Sequence, residues 1–414
     1  MDSIPSYEYQ YDGIASSRQV KIEPYADASS ELLIGRTAIK VRSADNSLYQ
    51  LTGASLGIDE ASTRLRAFAE LVERLSAFHS QFTAEIINRS YTTFDEMNNA
   101  CAIKPSNLQH FNALPKLLLD SRNPDTCNLS WVIGRRVLTE SPVWVPALAA
   151  FLWWKMKEED CLFLWPSATG LAAGTENEAA EMHGLLEVVE RDVCMLSWRV
   201  PGFPLYRLSA ETLPDYLQEE LLRHQLFVNL YIYSRANLPF VVIAVMTRKD
   251  GSALTCGSAA GFTIEHISEK AVLESLMLRW TIAREPNTSI SEDELPTNSF
   301  GHVLYAFHYP KPILDWYSNV CIGNFQPETQ CIFSNKEVIS AVEEEYGCSV
   351  VSVDLTTAQA RKSGWRVVRV VVANALPRET DHRLIHDGGV RLLQIIDRYN
   401  VELSKVNLNP NPFG

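Results

Sequence analysis

The stretch "TGLAAGTENEAAEMHGLLEVVER", Thr169 to Arg191, sets a run of small residues ahead of an amphipathic helical pattern. Gly170 and Gly174 bracket the small run, and Glu187 follows Gly174 by 13 residues. Glu187, Glu190 and Arg191 have i, i+3, i+4 spacing, so they share one helix face. Leu185, Leu186, Val188, Val189, Val193 and Leu196 hem that face in. A carboxylate in such surroundings needs a cation or a metal. The same frame occurs twice more, as "TGASLGIDEASTRLRAFAELVER" from Thr52 and "CGSAAGFTIEHISEKAVLESLML" from Cys256. Gly53 and Gly57 precede Glu70, Glu73 and Arg74, whereas Gly257 and Gly261 precede Lys270 and Glu274. The apolar stretches "SLYQL", "CLFLW" and "SALTC" lie upstream and predict strands. The unit is therefore predicted as strand, small-residue loop and helix, used three times.

Five glutamates packed together would repel one another. Divalent metal with polyphosphate resolves the conflict, because carboxylates hold hard cations and small-residue loops let backbone N–H groups approach phosphate. One difficulty stands. Each glutamate is three turns from its own loop, about 16 Å at 1.5 Å per residue, so a loop and a glutamate serving one phosphate would come from different units.

The whole chain has 414 residues, 46% hydrophobic and 21% charged, with net charge −13. That suits one large globular domain. No Lys/Arg-rich run exists, which disfavours nucleic acid. The start "MDSIPSYEYQYDG" has no signal-peptide pattern, and no apolar run reaches the length of a membrane span. Eight scattered cysteines without Cys-x-x-Cys suit reduced thiols in a cytoplasm. Residues 1–48 read as polar and irregular, "REPNTSISEDELPTNSFG" from Arg284 as a polar loop, and "WRVVRVVVANALP" from Trp365 as a buried strand. The terminal "NLNPNPFG" cannot be helix.

Two motifs compete with this reading. "GASLG" from Gly53 matches the Gly-x-Ser-x-Gly nucleophile elbow, which would make Ser55 a hydrolase nucleophile. The other two units have Ala172 and Ala259 there, and no HGGG-type loop is present. His183, on the carboxylate face, is either a proton relay or a structural histidine. No Gly-Lys-Ser/Thr follows the small runs, so none is a P-loop.

"ATGLAAGTENEAAEMHGLLEVVERDV" resembles the central stretch of the YcaO family. "AFAELVERLSA" resembles its Ala-x-x-Glu-x-x-Glu-Arg helix, and "KAVLESLMLR" its Arg-Ala-x-x-Glu helix. The resemblance runs from about residue 50 to the C-terminus. It implies an α+β fold of YcaO type, with three internal strand–Gly loop–helix repeats around an ATP/Mg site. Residues 1–48 would be an N-terminal polar segment and 49–414 the YcaO domain, with a Pro-rich tail at 410–414.

By the same resemblance, Glu70, Glu73, Glu187, Glu190 and Glu274 would hold magnesium. Arg74, Thr169, Thr175, Arg191, Lys270 and Glu274 would bind nucleotide, while Glu187, Glu190, Arg191, Pro412 and Gly414 would serve catalysis. Lys270 departs from the usual Arg and so loses the bidentate fork. Arg66, Thr175 and Ala179 stand where Ser, Asn and Glu are common.

The tail "PNPFG" (Pro410 to Gly414) is similar to the Pro-x-Pro-x-Pro end of the azoline-forming cyclodehydratases. That branch uses ATP and Mg2+ to cyclise Cys, Ser or Thr of a ribosomally made precursor peptide, as in microcin biosynthesis. It implies a separate leader-binding, activating-enzyme-like subunit and often an FMN-dependent dehydrogenase, and it leaves a homodimer open. Thioamide formation and a non-catalytic nucleotide-binding scaffold are the alternatives. For the tail, a frayed end is the plain reading.

Overall fold

In the computed structural model the chain is described over residues 20–26, 30–42, 48–96, 101–110, 122–158, 160–286, 288–326 and 334–414. The first strands make a three-stranded antiparallel sheet of Lys21–Pro24, Leu33–Arg42 and Leu48–Gly57. A five-stranded sheet has the order Thr255–Gly261, Phe240–Arg248, Leu226–Tyr233, Leu205–Leu208 and Cys321–Asn324. A six-stranded sheet runs Ile86–Ser90, Asn128–Arg136, Val350–Asp354, Arg366–Val372 and Leu171–Gly174, with Pro142–Pro146 also on Asn128–Arg136.

Leu48–Gly57, Leu171–Gly174 and Thr255–Gly261, the first, second and third motif strands, each end the order of a different sheet. Each leads into a long motif helix: Glu60–Thr83, Asn177–Arg199 and Ile264–Ile282. Every motif helix packs on its own strand and on that of another unit. The first also touches the second strand, the second touches the third strand, and the third touches the first strand. This cyclic arrangement turns one face of each helix toward a shared centre. The apolar faces point outward into three cores, around Leu71 and Phe78, around Val188 and Leu196, and around Ala271 and Leu276.

Three expectations change. The Gly-x-x-x-Gly segments are strands and not loops, because the helix lies directly upon them. A Cβ at Gly53 would strike the Ala67 carbonyl and come within 2.7 Å of the Leu71 nitrogen. At Gly257 it would strike the Ala271 carbonyl and come within 2.6 Å of the Ser275 nitrogen. Small residues are thus the price of close backbone approach. "CLFLW" (Cys161 to Trp165) is not a strand, since its apolar side chains fill a core without a ladder.

Within residues 1–48, Lys21–Pro24 and Leu33–Arg42 are strands, not irregular chain. The second pairs with the first motif strand from Leu33↔Gly57 to Arg42↔Leu48. Its exposed Arg36, Ala38 and Lys40 share one face and its buried Thr37 and Val41 the other. That alternation marks a one-sided strand. Residues 1–19 lie outside the described residues.

"WRVVRVVVANALP" does contain the buried strand Arg366–Val372. No described helix is long and apolar enough to cross a membrane, and the described cysteines are free thiols.

Candidate active site

Because each helix returns along its strand, its glutamate comes back to the first glycine of its motif or to the residue after it. Ala54 N–H donates to Glu70 Oε2 (2.8 Å), Gly170 N–H to Glu187 Oε2 (3.2 Å) and Ser258 N–H to Glu274 Oε2 (2.6 Å). The 16 Å separation inferred above from helix rise alone therefore does not apply: each glutamate meets its own motif segment. These bonds aim the carboxylates and leave their second oxygens for other partners.

The second unit's arginine joins two helices. Arg191, nine-tenths buried, lies 3.7 Å from Glu187, 3.2 Å from Glu190 and 3.7 Å from Glu274. Ser258 Oγ donates to Glu190 Oε1 (2.7 Å) and lies 3.3 Å from Arg191 Nη1. Burial works against the guanidinium charge, yet Glu190, Glu274 and Glu187 outweigh it and hold the Arg191 pKa above its ordinary value. In the first unit Arg74 lies 3.5 Å from Glu70 and 3.7 Å from Glu73. Glu187, Glu190 and Glu274 thus meet through Arg191, the cation that the second and third helices share, while Glu70 and Glu73 group about Arg74 on the first.

Glu73 is the least compensated member. Burial pushes its carboxyl well above the ordinary range, Arg74 opposes this, and the charges of Glu187 and Glu70 reinforce it. A folded-state pKa raised above the unfolded one means stability is present at low pH and is lost as pH rises through the folded value. Glu73→Gln is therefore expected to raise the melting temperature of nucleotide-free protein by about 2–4 °C at pH 8. The gain should shrink toward nothing as pH falls to 4.5, the ordinary glutamate value. Parallel thermal melts of both proteins across that range check it.

Two cations escaped the sequence reading as site residues. Arg369, inside the Arg366–Val372 strand, is 5% exposed. It donates to the carbonyls of Ala149 (Nε, 3.1 Å) and Ser167 (Nη2), and Nη1 has no partner. Burial lowers its pKa to about 10, against the pull of Glu187 and Glu73. Arg378 is lowered to about 10 by burial and by Arg191, with Glu274 and Glu187 opposing. A charge inside an otherwise apolar strand was a visible signal for Arg369. Arg378 offered none, as it lies in irregular chain after the strand.

Other expected residues lie at the margins. Lys270 and Thr175 are exposed. His183 is exposed too, and its pKa is lowered by partial desolvation and by Lys270, with an opposing hydrogen bond to the Ala173 backbone. Thr169 Oγ1 accepts from Ser167 Oγ (2.8 Å), and Arg378 N–H approaches it at 3.4 Å.

The tail is not frayed: Pro410 to Phe413 are buried. Trp198 Nε1 donates to the Asn409 carbonyl (3.0 Å), Asn411 Nδ2 to the Glu379 carbonyl (3.3 Å), and His302 Nδ1 lies 3.1 Å from the Asn411 carbonyl. Gly414 ends against Val303 and Leu278, the latter one helical turn beyond Glu274.

Ser55 is no nucleophile, since it lies within a strand and its Oγ donates to the Thr63 carbonyl. Ser55→Ala should leave ATP turnover unchanged while costing about 1 kcal/mol of stability. A turnover assay and a denaturant titration read the two effects separately.

The profile of one protein family, described as YcaO cyclodehydratase with ATP and Mg2+ binding, matches residues 55–376. The chain belongs to the YcaO family. ATP and Mg2+ are accordingly its cofactors. No curated protein sequence matches this chain. Among solved structures, a heterocyclase in complex with substrate and cofactor superposes with TM-score 0.75 at 17% identity, over 99% of this chain and 56% of that one. The YcaO chain thus spans just over half the length of that heterocyclase. YcaO from Methanopyrus kandleri bound with AMPPCP and Mg2+ gives 0.62 at 21% identity, covering 89% and 90%. The E. coli microcin synthetase McbBCD complex gives 0.60 at 12% identity, covering 94% and 96%.

The carboxylates suit Mg2+ in donor type, being hard oxygens whose charge burial leaves under-compensated at Glu73. Among the described residues no three acidic, histidine or cysteine side chains are gathered at metal-binding distance. Arg191 and Arg74 occupy the carboxylates in this arrangement.

Proposed function

We propose that this chain is an ATP-dependent cyclodehydratase that converts Cys, Ser or Thr of a ribosomally synthesised precursor peptide to thiazoline or oxazoline. The grouping of Glu187, Glu190 and Glu274 about Arg191, with Glu70 and Glu73 about Arg74 and Glu73 feeling the Glu187 charge, carries this reading. The substrate thiol or hydroxyl attacks the preceding carbonyl carbon, giving a hemiorthoamide. Its former amide oxygen takes a phosphoryl group from ATP and leaves as phosphate, so peptide plus ATP becomes azoline peptide, ADP and phosphate. Bound Mg2+ supplies charge that neutralises the phosphoryl oxygens during transfer.

Glu70, Glu73, Glu187, Glu190 and Glu274 would hold the metal. Arg191 and Arg74 would turn from the carboxylates to the phosphates, and Lys270 and Thr175 would contact the nucleotide at the outer margin. Arg378, whose charge meets that of Arg191, would stabilise negative charge that develops on the peptide oxygen. Pro412 and Gly414 would orient the reacting amide.

Mass spectrometry of a precursor incubated with ATP tests the proposal. Loss of one water per ring supports it; exchange of oxygen for sulfur would make the enzyme thioamide-forming, and no ATP consumption would leave a scaffold. A separate leader-binding subunit is expected to raise the rate by about a hundredfold, through effective concentration alone. Full activity without such a subunit would place the leader site on this chain.

A further inference from the structure

The carboxylate cluster has two ends. Thr175, after the second motif strand, and Lys270, beside His183, mark one end. Thr169, before that strand, marks the other, where the fold leaves a pocket of about 90 Å³ open to solvent. Arg369 and Arg378 line this pocket and also feel the cluster's charges. Its walls join apolar Leu164, Trp165 and Leu384 to a polar side that carries His110, Arg369 and Arg378, so one ligand could meet both an apolar surface and convergent polar groups.

Two of those polar groups are buried without partners. His110, 4% exposed, has Nδ1 unsatisfied and packs edge-to-face on His386 at 5.3 Å. Arg369 Nη1 is likewise unsatisfied. An unpaired buried polar atom is costly unless a ligand completes it. Burial, then His386, holds the His110 pKa well below its ordinary value, so the ring is neutral and can accept a proton donor. The tail braces the pocket from behind: Glu379, in its lining, is gripped by Arg199 (Nε, 3.0 Å) and by Asn411 Nδ2 (3.4 Å).

We propose that this pocket receives the reacting peptide unit. The apolar wall takes the side chain preceding the reacting Cys, Ser or Thr, Arg369 donates to the carbonyl that is attacked, and His110 accepts from the attacking thiol or hydroxyl. The proposal rests on the cyclodehydratase reading. A peptide unit of this kind presents an acceptor and a donor together, matching the two orphaned groups. The rival occupant is the nucleotide: Thr169, one of its expected contacts, lines the pocket, whereas Thr175 and Lys270, also expected contacts, do not, which favours the peptide.

The test uses the full chain with labelled histidine, observed by NMR. Acetyl-Val-Cys-Gly-amide and Mg2+·AMPPCP are added in separate titrations, and the His110 ring signal is assigned by its loss in His110→Phe. The peptide should shift that signal saturably and AMPPCP should not. Thr380→Trp, which fills the pocket, should weaken the peptide about tenfold and leave AMPPCP affinity within about twofold. This second arm stands by itself should His110→Phe fail to fold.

A shift with AMPPCP alone, no shift with either probe, or unchanged peptide affinity in Thr380→Trp would overturn the proposal. Because binding is read without turnover, failure here is distinct from failure to lose water in the activity assay.

Discussion

Glu190→Gln is expected to cut ATP turnover at least about a hundredfold while the protein keeps its fold. The substitution removes one of the charges proposed to hold the metal and little else. Gln keeps an acceptor for Ser258 Oγ, which now donates at 2.7 Å. Arg191 keeps Glu187 and Glu274 as counter-charges, so no buried cation is stranded, which is what would destabilise the core. For the same reason relief of like-charge repulsion, and with it greater stability, is expected at Glu73 and not at Glu190. Glu187→Gln should behave like Glu190→Gln, because Glu187 also meets Arg191 and its own strand. Steady-state ATPase rates with a thermal melt decide it. Normal turnover in both variants would remove the metal role from the second helix.

Deleting residues 410–414 is expected to abolish azoline formation and also to lower the melting temperature. The catalytic role that the resemblance implies for Pro412 and Gly414 accounts for the first loss. The structure adds a cost, since Phe413 is 2% exposed and losing a buried phenylalanine costs about 3–5 kcal/mol. Asn411 would also release Glu379 and leave Arg199 with less support.

A finer variant separates the two effects. A Cβ at Gly414 would collide with Val303, so Gly414→Ala should displace the chain end while leaving Asn411 and Phe413 in place. Azoline yield is expected to fall about tenfold, with Mg2+·AMPPCP affinity unchanged. Product mass spectrometry and calorimetry read these outcomes. Normal yield from both variants would make the tail an anchor only.

Local features were legible because they depend on local rules. Glu-x-x-Glu-Arg puts three charges on one helix face wherever that helix goes. The apolar residues around Glu187 and Glu190 announced that the face would be enclosed, and Arg191 is nine-tenths buried. "WRVVRVVV" could only be a buried strand, and the proline-rich end could not be helix. The small-residue segments were located correctly but read as loops, since glycine and alanine disfavour strands until a helix backbone must lie on them.

By itself, then, the sequence determined three charged helices, the small residues beside them, an α+β family fold and the ATP and Mg2+ that go with that family. Tertiary structure alone decided how the helices face one another. Each packs on its own strand and on another unit's, which brings Glu274 to Arg191 across 83 positions of sequence. It also decided that each glutamate folds back to its own strand, that Arg369 and Arg378 join the cluster, and that His110 and Arg369 share a pocket. The physical reason is range. Helix faces follow from neighbours three and four residues apart, whereas these contacts depend on sheet order and packing between distant segments, for which no local spacing exists.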